Sequence, residues 1–166
     1  MEDFTVRAER PDDHAAIFAV TEAAFGRADE ARLVDALRTG GDAAISLVAE
    51  TGGRLVGHVL LSRLVTPEGC LALAPVSVTP ERQGRRIGPA LIREALARAA
   101  AEGYSAVFVL GEPGYYTRFG FSLKTAAAFE TEYPKEYFMA LELRPAALRH
   151  RSGRVVYPGA FGSAEG

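Results

Sequence analysis

One stretch constrains the fold more than any other: Val76-Ser-Val-Thr-Pro-Glu-Arg-Gln-Gly-Arg-Arg-Ile-Gly-Pro-Ala-Leu91. It reads as a strand, a tight turn marked by Gly84, and a helix opening near Gly88. The first turn of a helix has backbone N–H groups with no intrahelical acceptor, and the helix dipole adds partial positive charge there. A compact turn feeding such a helix suits an anion, phosphate above all. This turn also carries Arg82, Arg85, Arg86 and Gln83.

The glycine spacing narrows the type of phosphate site. A mononucleotide P-loop needs Gly-x-x-x-x-Gly-Lys-Ser/Thr, and no lysine follows Gly88. A dinucleotide fingerprint needs Gly-x-Gly-x-x-Gly, whereas Gly84 and Gly88 stand four apart. Pro89 lacks an N–H and suits a first helical position.

The chain has 166 residues, 48% of them hydrophobic, enough for one domain with a full core over residues 1–166. A net charge of −2 gives no general attraction to nucleic acid. Cys70 is the only cysteine, so no internal disulfide forms, and His14, His58 and His150 lack metal-ligand spacing, so no metal is expected. No apolar run reaches the roughly 20 residues of a membrane span. The acidic start Met-Glu-Asp-Phe-Thr-Val does not read as a signal peptide. These features lead to the expectation of a soluble cytoplasmic protein without a membrane partner. The tail Gly159–Gly166 reads as loose.

Periodicity orders the elements. Phe4 to Arg7 alternates as a first strand. Pro11 opens a helix with Ile17, Phe18, Thr21, Ala24 and Phe25 on one stripe. A second helix spans about Asp29 to Arg38 and stops at Gly40-Gly41. Ala44 to Glu50 and Arg54 to Leu64 read as an antiparallel hairpin, followed by a strand over Leu71 to Val78. Pro75 lies inside that strand and cannot donate to a ladder, so a bulge or splay is expected there. A helix over about Gly88 to Glu102 leads to a buried strand, Ala106 to Leu110, parallel to Leu71–Val78 through a right-handed crossover. Gly114 to Phe119 reads as a short helix, and Tyr137 to Leu143 and Arg154 to Tyr157 as further strands.

Gln83-Gly-Arg-Arg-Ile-Gly88 resembles motif A of the GCN5-related N-acetyltransferases (GNAT), Gln/Arg-x-x-Gly-x-Gly/Ala. It matches at Gln83 and Gly88 and departs at Arg86, where the family usually has glycine. Tyr116-x-x-Phe-Gly-Phe121 resembles the family's Tyr-x-x-Leu-Gly-Phe. The two motifs stand in the family's order and spacing, and the element order agrees over roughly residues 4–143. The wording around Val109-Leu-Gly and Tyr115-Tyr-x-Arg-Phe-Gly-Phe121 is similar to a YhbS-like bacterial subfamily, as are extra C-terminal strands at about 137–158. The resemblance implies an α/β (α+β) fold: a central mixed, mostly antiparallel twisted sheet, splayed between its fourth and fifth strands, with helices on both faces.

It further implies acetyl transfer from acetyl-CoA, the cosubstrate, to a small-molecule or peptide amine. By the family pattern, backbone groups of Val76, Ser77 and Val78 pair with pantetheine, and an N–H at or near Val76 faces the thioester oxygen. The pyrophosphate lies along Gly84, Arg85, Arg86, Ile87, Gly88 and Pro89, after Gln83. Arg82, Arg85 and Arg86 are candidates for side-chain contacts to phosphate. Tyr116 aligns with the general acid, with its neighbour Tyr115 as the alternative. The family's asparagine after the fifth strand is absent from Gly111-Glu-Pro-Gly114. Glu112, His58 and Glu30 are candidate bases, each with a bland alternative: a solvated loop charge, a satisfied strand histidine, a helix N-terminal acid. Water relay without a base is equally open. A noncatalytic acetyl-CoA sensor or docking module is the competing class, and a homodimer through the C-terminal strands is a further expectation.

Overall fold

A computed structural model describes residues 3–164. The first half of the chain runs β1 (Thr5–Ala8), α1 (His14–Phe25), α2 (Asp29–Thr39), β2 (Ala43–Thr51), β3 (Arg54–Arg63) and β4 (Cys70–Val78). After these come α3 (Ile87–Ala101), β5 (Ala106–Leu110) and the one-turn helices α4 (Pro113–Tyr116) and α5 (Leu123–Ala126). The chain ends with β6 (Phe129–Glu130), β7 (Phe138–Glu142), β8 (Gly153–Arg154) and α6 (Gly159–Ala164). Six strands form one sheet in the order β1-β2-β3-β4-β5-β7. Its pairings are antiparallel except β4 with β5.

Alternation along the strands loads both faces of this sheet. Leu47 of β2 and Val59 and Leu61 of β3 meet Leu91, Ile92 and Ala95 of α3 on one face. Val48 and Leu60 point the other way, to Ile17 of α1 and Leu33, Val34 and Leu37 of α2. A further cluster gathers Cys70, Ala72, Phe108, Phe129 and Phe138. There Phe108 stacks on Phe138 at 5.5 Å and meets Phe129 edge-on at 5.1 Å. Each fully buried aliphatic or aromatic side chain contributes about 1.5–3 kcal/mol relative to exposure.

The stripe of α1 differs from the periodic reading. Ile17, Val20 and Thr21 are buried, while Phe25 is 40% exposed. Phe25 is the last helical residue before Gly26, whose left-handed φ of 72° turns the chain toward α2. The tail also differs: Gly159–Ala164 forms α6, and Ala160 and Phe161 pack against the α2 side of the core. Glu165 and Gly166 lie outside the described residues. The reading of Arg154 to Tyr157 as a strand holds only at its start. β8 pairs with β6 in a separate two-stranded sheet, and Val156 makes an isolated bridge to Thr66.

β4 and β5 pair only over Cys70–Ala72 with Ala106–Phe108. Beyond Ala72, β4 continues along β3 alone, with Val76 opposite Val59, Ser77 opposite His58 and Val78 opposite Gly57. The β3–β4 register shifts between Val59 and Leu61, so Ala74 and Pro75 together oppose Leu60. Pro75 falls in this bulge, where its missing N–H costs no ladder bond.

α3 enters close to the sheet. A Cβ on Gly57 would lie 2.9 Å from Leu91 Cδ1 and 3.0 Å from Ile87 Cγ2, so only glycine admits the first turns of α3 here. Arg86 caps α3 at φ 69°, ψ 0°, the left-handed region. The family's usual glycine at this position has a physical reason, and arginine occupies it under strain.

His58 is fully enclosed on the α1 side. Its Nε2 lies 2.8 Å from Ser46 Oγ. Ser46 donates its only hydroxyl hydrogen to Glu9 at 2.5 Å, so it accepts from His58 Nε2–H. That leaves a neutral ring with an unpartnered Nδ1. Burial lowers the His58 pKa to about 4, against an ordinary 6.5. Burial opposes ionisation of Glu9 too, but hydrogen bonds from Arg38 and Ser46 outweigh it and hold the carboxyl below its usual range. Arg38 grips both Glu9 oxygens at 2.8 Å.

Two stability measurements follow. Between about pH 6.5 and 4 the unfolded chain binds a proton at His58 that the folded protein refuses. Stability therefore falls as pH drops through this window, by at most about 1.4 kcal/mol per pH unit. Urea titrations should show a flatter pH dependence for His58→Leu, and an unchanged slope would place its source elsewhere. At the α3 cap, a left-handed arginine costs about 1–2 kcal/mol, and glycine returns about 0.5–1 kcal/mol of that as chain entropy. Arg86→Gly should thus raise stability by up to about 1 kcal/mol, read as a higher denaturation midpoint at constant m. A lower midpoint would mean that the guanidinium itself holds the turn.

Candidate active site

Where β4 leaves β5, the β5-facing edge of β4 from Leu73 to Val78 has no strand beside it. A recess lies at this edge on each side of the sheet.

The recess on the α3 side, about 410 Å³, is lined by Val76 and Val78 of β4, by Gln83, Gly84, Arg86, Gly88 and Pro89 of the turn, and by Tyr115. It adjoins a broad shallow groove that adds Phe4, Arg85, Ala90 and Arg93, and Arg82 and Arg118 line both. Among the described residues, no carboxylate lines either recess. The turn is pinned to its strand by Gln83, whose side-chain amide donates to the Val78 carbonyl at 3.0 Å. Gly84 supplies the reversal at φ 79°. Pro89 is the third residue of α3 rather than its first, still within the turn whose N–H groups lack helical acceptors. Ile87 and Ser77 are buried. The bond from Thr79 N–H to the Val56 carbonyl sets a register in which Ser77, opposite His58, turns its backbone to β3, so the open edge is that of Val76 and Val78 and not of Ser77.

Arg93 and Arg118 escape a reading centred on the glycine turn. The Arg93 guanidinium sits 5.0 Å from the Phe119 ring centroid, and that of Arg118 sits 4.6 Å from Tyr115. These cation–π contacts hold both over the groove. The available signal was Arg93 lying one turn beyond Pro89 on the same helical face.

The two tyrosines of α4 separate. The Tyr115 hydroxyl lies 3.3 Å from where a Gly88 Cβ would be, at the first turn of α3. The Tyr116 ring lies over Gly111, just past the end of β5, so closely that a Cβ there would collide with Tyr116 Cε2. Its edge contact with Phe121 has centroids 5.9 Å apart. Burial pushes the Tyr116 phenol up to about 12 and raises that of Tyr115 as well. Both remain proton donors at neutral pH.

On the other face a half-enclosed cavity of about 540 Å³ opens between α2 and β5. Its floor is Ala72, Leu73 and Ala74 of β4 with Phe108 and Leu110 of β5. Arg27, Asp29, Glu30 and Leu33 line it at the start of α2, and Tyr133, Tyr157 and Phe161 line it from the C-terminal part of the chain. Backbone bonds Val65 N–H to Val156 O (2.8 Å) and Val156 N–H to Thr66 O (2.9 Å) tie the C-terminal segment down and so bring Tyr157 and Phe161 here.

Among the candidate bases, Glu30 alone reaches a cavity. Its carboxylate is held by Arg27 Nε at 3.0 Å and NH2 at 2.6 Å, and this hydrogen bonding lowers its pKa. His58 is sealed beneath α1, and Glu112, exposed at the residue before α4, lines neither recess. Among the described residues, no group of three or more His, Cys, Asp or Glu is placed to hold a metal ion, and no helix is long and apolar enough to cross a membrane.

This architecture recurs in known proteins. The sequence model of the GNAT acetyltransferase domain matches residues 5–124. The uncharacterized N-acetyltransferase YjhQ of Escherichia coli is 37% identical over 142 residues, covering 81% of this chain and 76% of that protein. YhbS of the same organism is 32% identical over 158 residues, 92% of this chain and 95% of YhbS. The crystal structure of Escherichia coli YhbS in complex with CoA superposes with a TM-score of 0.92, at 31% identity over 98% of this chain and 93% of that one. A Brucella melitensis GNAT acetyltransferase in complex with acetyl-CoA gives 0.82, at 38% identity over 97% and 99%. With a domain match across most of the sheet and relatives above 30% identity over most of both chains, the chain belongs to the GNAT acetyltransferase family.

Proposed function

We propose that this protein transfers the acetyl group of acetyl-CoA directly to an amine. The observation that carries this reading is the open β4 edge, flanked by an arginine-lined groove on one face and a half-enclosed cavity on the other. The CoA and acetyl-CoA complexes of the two similar structures support it.

CoA is an amide-rich arm ending in phosphates. Its pantetheine amides add to the free edge at Val76 and Val78 as a further strand, Ser77 being turned to β3. Its pyrophosphate rests on Gly84 to Pro89, at the N-terminus of α3. Arg85 and Arg86 flank it, and Arg93 and Arg118 are the side chains for the 3′-phosphate. The thioester then falls in the gap between β4 and β5, with the acceptor cavity beyond.

A neutral amine nitrogen in that cavity attacks the acetyl carbonyl carbon. A C–N bond forms, and the oxyanion is stabilised by a β4 backbone N–H at or near Val76. Collapse breaks the C–S bond. Tyr116 protonates the departing thiolate, and the amine proton leaves to solvent. Glu30, with its pKa lowered by Arg27, is a weak base, and neither Glu112 nor His58 reaches the cavity. Water relay is therefore the preferred route for that proton.

CoA at roughly 100-fold its Kd should stabilise the protein by about 2.7 kcal/mol, with much smaller effects from NAD and ATP. An unchanged melting temperature with saturating CoA would refute donor binding. Arg93→Ala and Arg118→Ala should erase most of the preference for CoA over dephospho-CoA, because only CoA carries the 3′-phosphate. Equal preference in wild type and variants would put that phosphate elsewhere.

The two tyrosines are separable by kinetics. Tyr116→Phe should lower kcat by roughly 100-fold or more, the scale of general acid catalysis, with CoA affinity little changed. Tyr115→Phe should act mainly on CoA affinity. The reverse pattern would hand the proton to Tyr115. A protein that binds CoA and acetylates no amine in a broad panel would instead support the sensor reading.

A further inference from the structure

The cavity beside β5 has a chemistry of its own, and its lining bears on which amine enters. Tyr133 meets Tyr157 edge-on with ring centroids 5.5 Å apart, and Tyr157 meets Phe161 at 5.1 Å. Together they make one continuous aromatic wall from residues distant in sequence. Leu110 completes the apolar surface, 41% exposed at the end of β5. Charge is confined to the α2 side. There Arg27 is engaged by Glu30 through two hydrogen bonds, and Asp29 adds a second carboxylate. The lining thus has two carboxylates against one guanidinium.

Resting on the acetyltransferase reading above, we propose that the acceptor is a monoamine carried on a flat apolar body, of the arylalkylamine class. The ammonium form is attracted by the excess carboxylate and by the aromatic faces, and sheds its proton before attack. The flat body lies against the Tyr133–Tyr157–Phe161 wall. Pockets for small ligands run from about 300 to 1,000 Å³, and the observed 540 Å³ accommodates one or two rings.

The same lining disfavours two other classes of amine. A polyamine or aminoglycoside brings several cations, and the cavity offers a net excess of one carboxylate, with apolar surface where the remaining ammonium groups would be desolvated. An α-amino acid brings a carboxylate, and the one guanidinium present already holds Glu30.

Thiol release from acetyl-CoA tests this with 2-phenylethylamine and tryptamine against spermidine, kanamycin and L-phenylalanine. The arylalkylamines should lead in kcat/KM by at least about 10-fold, the scale of discrimination by an apolar pocket. Phe161→Ala should raise the KM for 2-phenylethylamine by about 10-fold, and Asp29→Asn by several-fold. Both variants should keep the wild-type thermal shift with CoA. A KM unmoved in both folded variants overturns the proposal, as does spermidine, kanamycin or L-phenylalanine matching the arylalkylamines. If CoA shifts the melting temperature and only amines outside the arylalkylamine class are turned over, the acceptor class is wrong while the acetyltransferase reading stands. Turnover of no amine at all, with the CoA shift intact, fails both readings in favour of the sensor. If CoA gives no shift, the parent reading fails and takes this one with it.

Discussion

The parting of β4 from β5 organises everything else in this molecule. Parallel strands in one sheet normally stay paired, because each unpaired buried N–H or C=O is costly. Here the pairing lasts only from Cys70 to Ala72. The bulge at Ala74–Pro75 then carries β4 onward beside β3 alone, and Pro75 has no donor to lose. Val76 to Val78 keep their partners on the β3 side and present an open edge on the other. Such an edge is a template for another extended backbone. An amide-rich pantetheine arm has that chemistry.

The site proposed for the donor depends on how closely α3 meets the sheet. Gly57 has no side chain, so Leu91 and Ile87 settle against the backbone of β3. That contact fixes where the N-terminus of α3 points. The turn before it is held by Gln83 to the Val78 carbonyl and reverses through Gly84 and Arg86, both with positive φ. Arg86 trades backbone strain for a guanidinium at the lip of the groove, and Arg93 and Arg118 are steadied there by Phe119 and Tyr115.

The sequence was most legible where function is carried by backbone. Gly84 and Gly88 mark the turn into α3, Pro75 marks the bulge, and the apolar run Ala106–Leu110 marks β5 to the residue. These features are local, and each has a steric signature. It was least legible where side chains converge from afar. Gly159 and Gly162 disguise α6 as a loose tail, so Phe161 is invisible as a cavity residue until its packing on α2 is known. His58 has a solution pKa suited to catalysis, and only the fold reveals that burial beneath α1 depresses it to about 4. Tyr115 and Tyr116 are adjacent in sequence, yet the first faces the start of α3 and the second covers Gly111.

The groove proposed for the donor and the cavity proposed for the acceptor therefore differ in how substitution reaches them. The groove draws mainly on a turn and helix contiguous with β4, supplemented by α4 and Arg118. Its hydrogen-bonding groups combine the main chain of the turn with the guanidinium groups of Arg82, Arg85, Arg86, Arg93 and Arg118. The cavity draws on separate stretches near residues 27–33, 72–74, 108–110 and 133–161. Its character comes from aromatic and carboxylate side chains. The two sites share β4, but beyond it they occupy opposite faces of the sheet. On the proposed reading, the scaffold can hold one donor in place while the wall of the cavity is rebuilt.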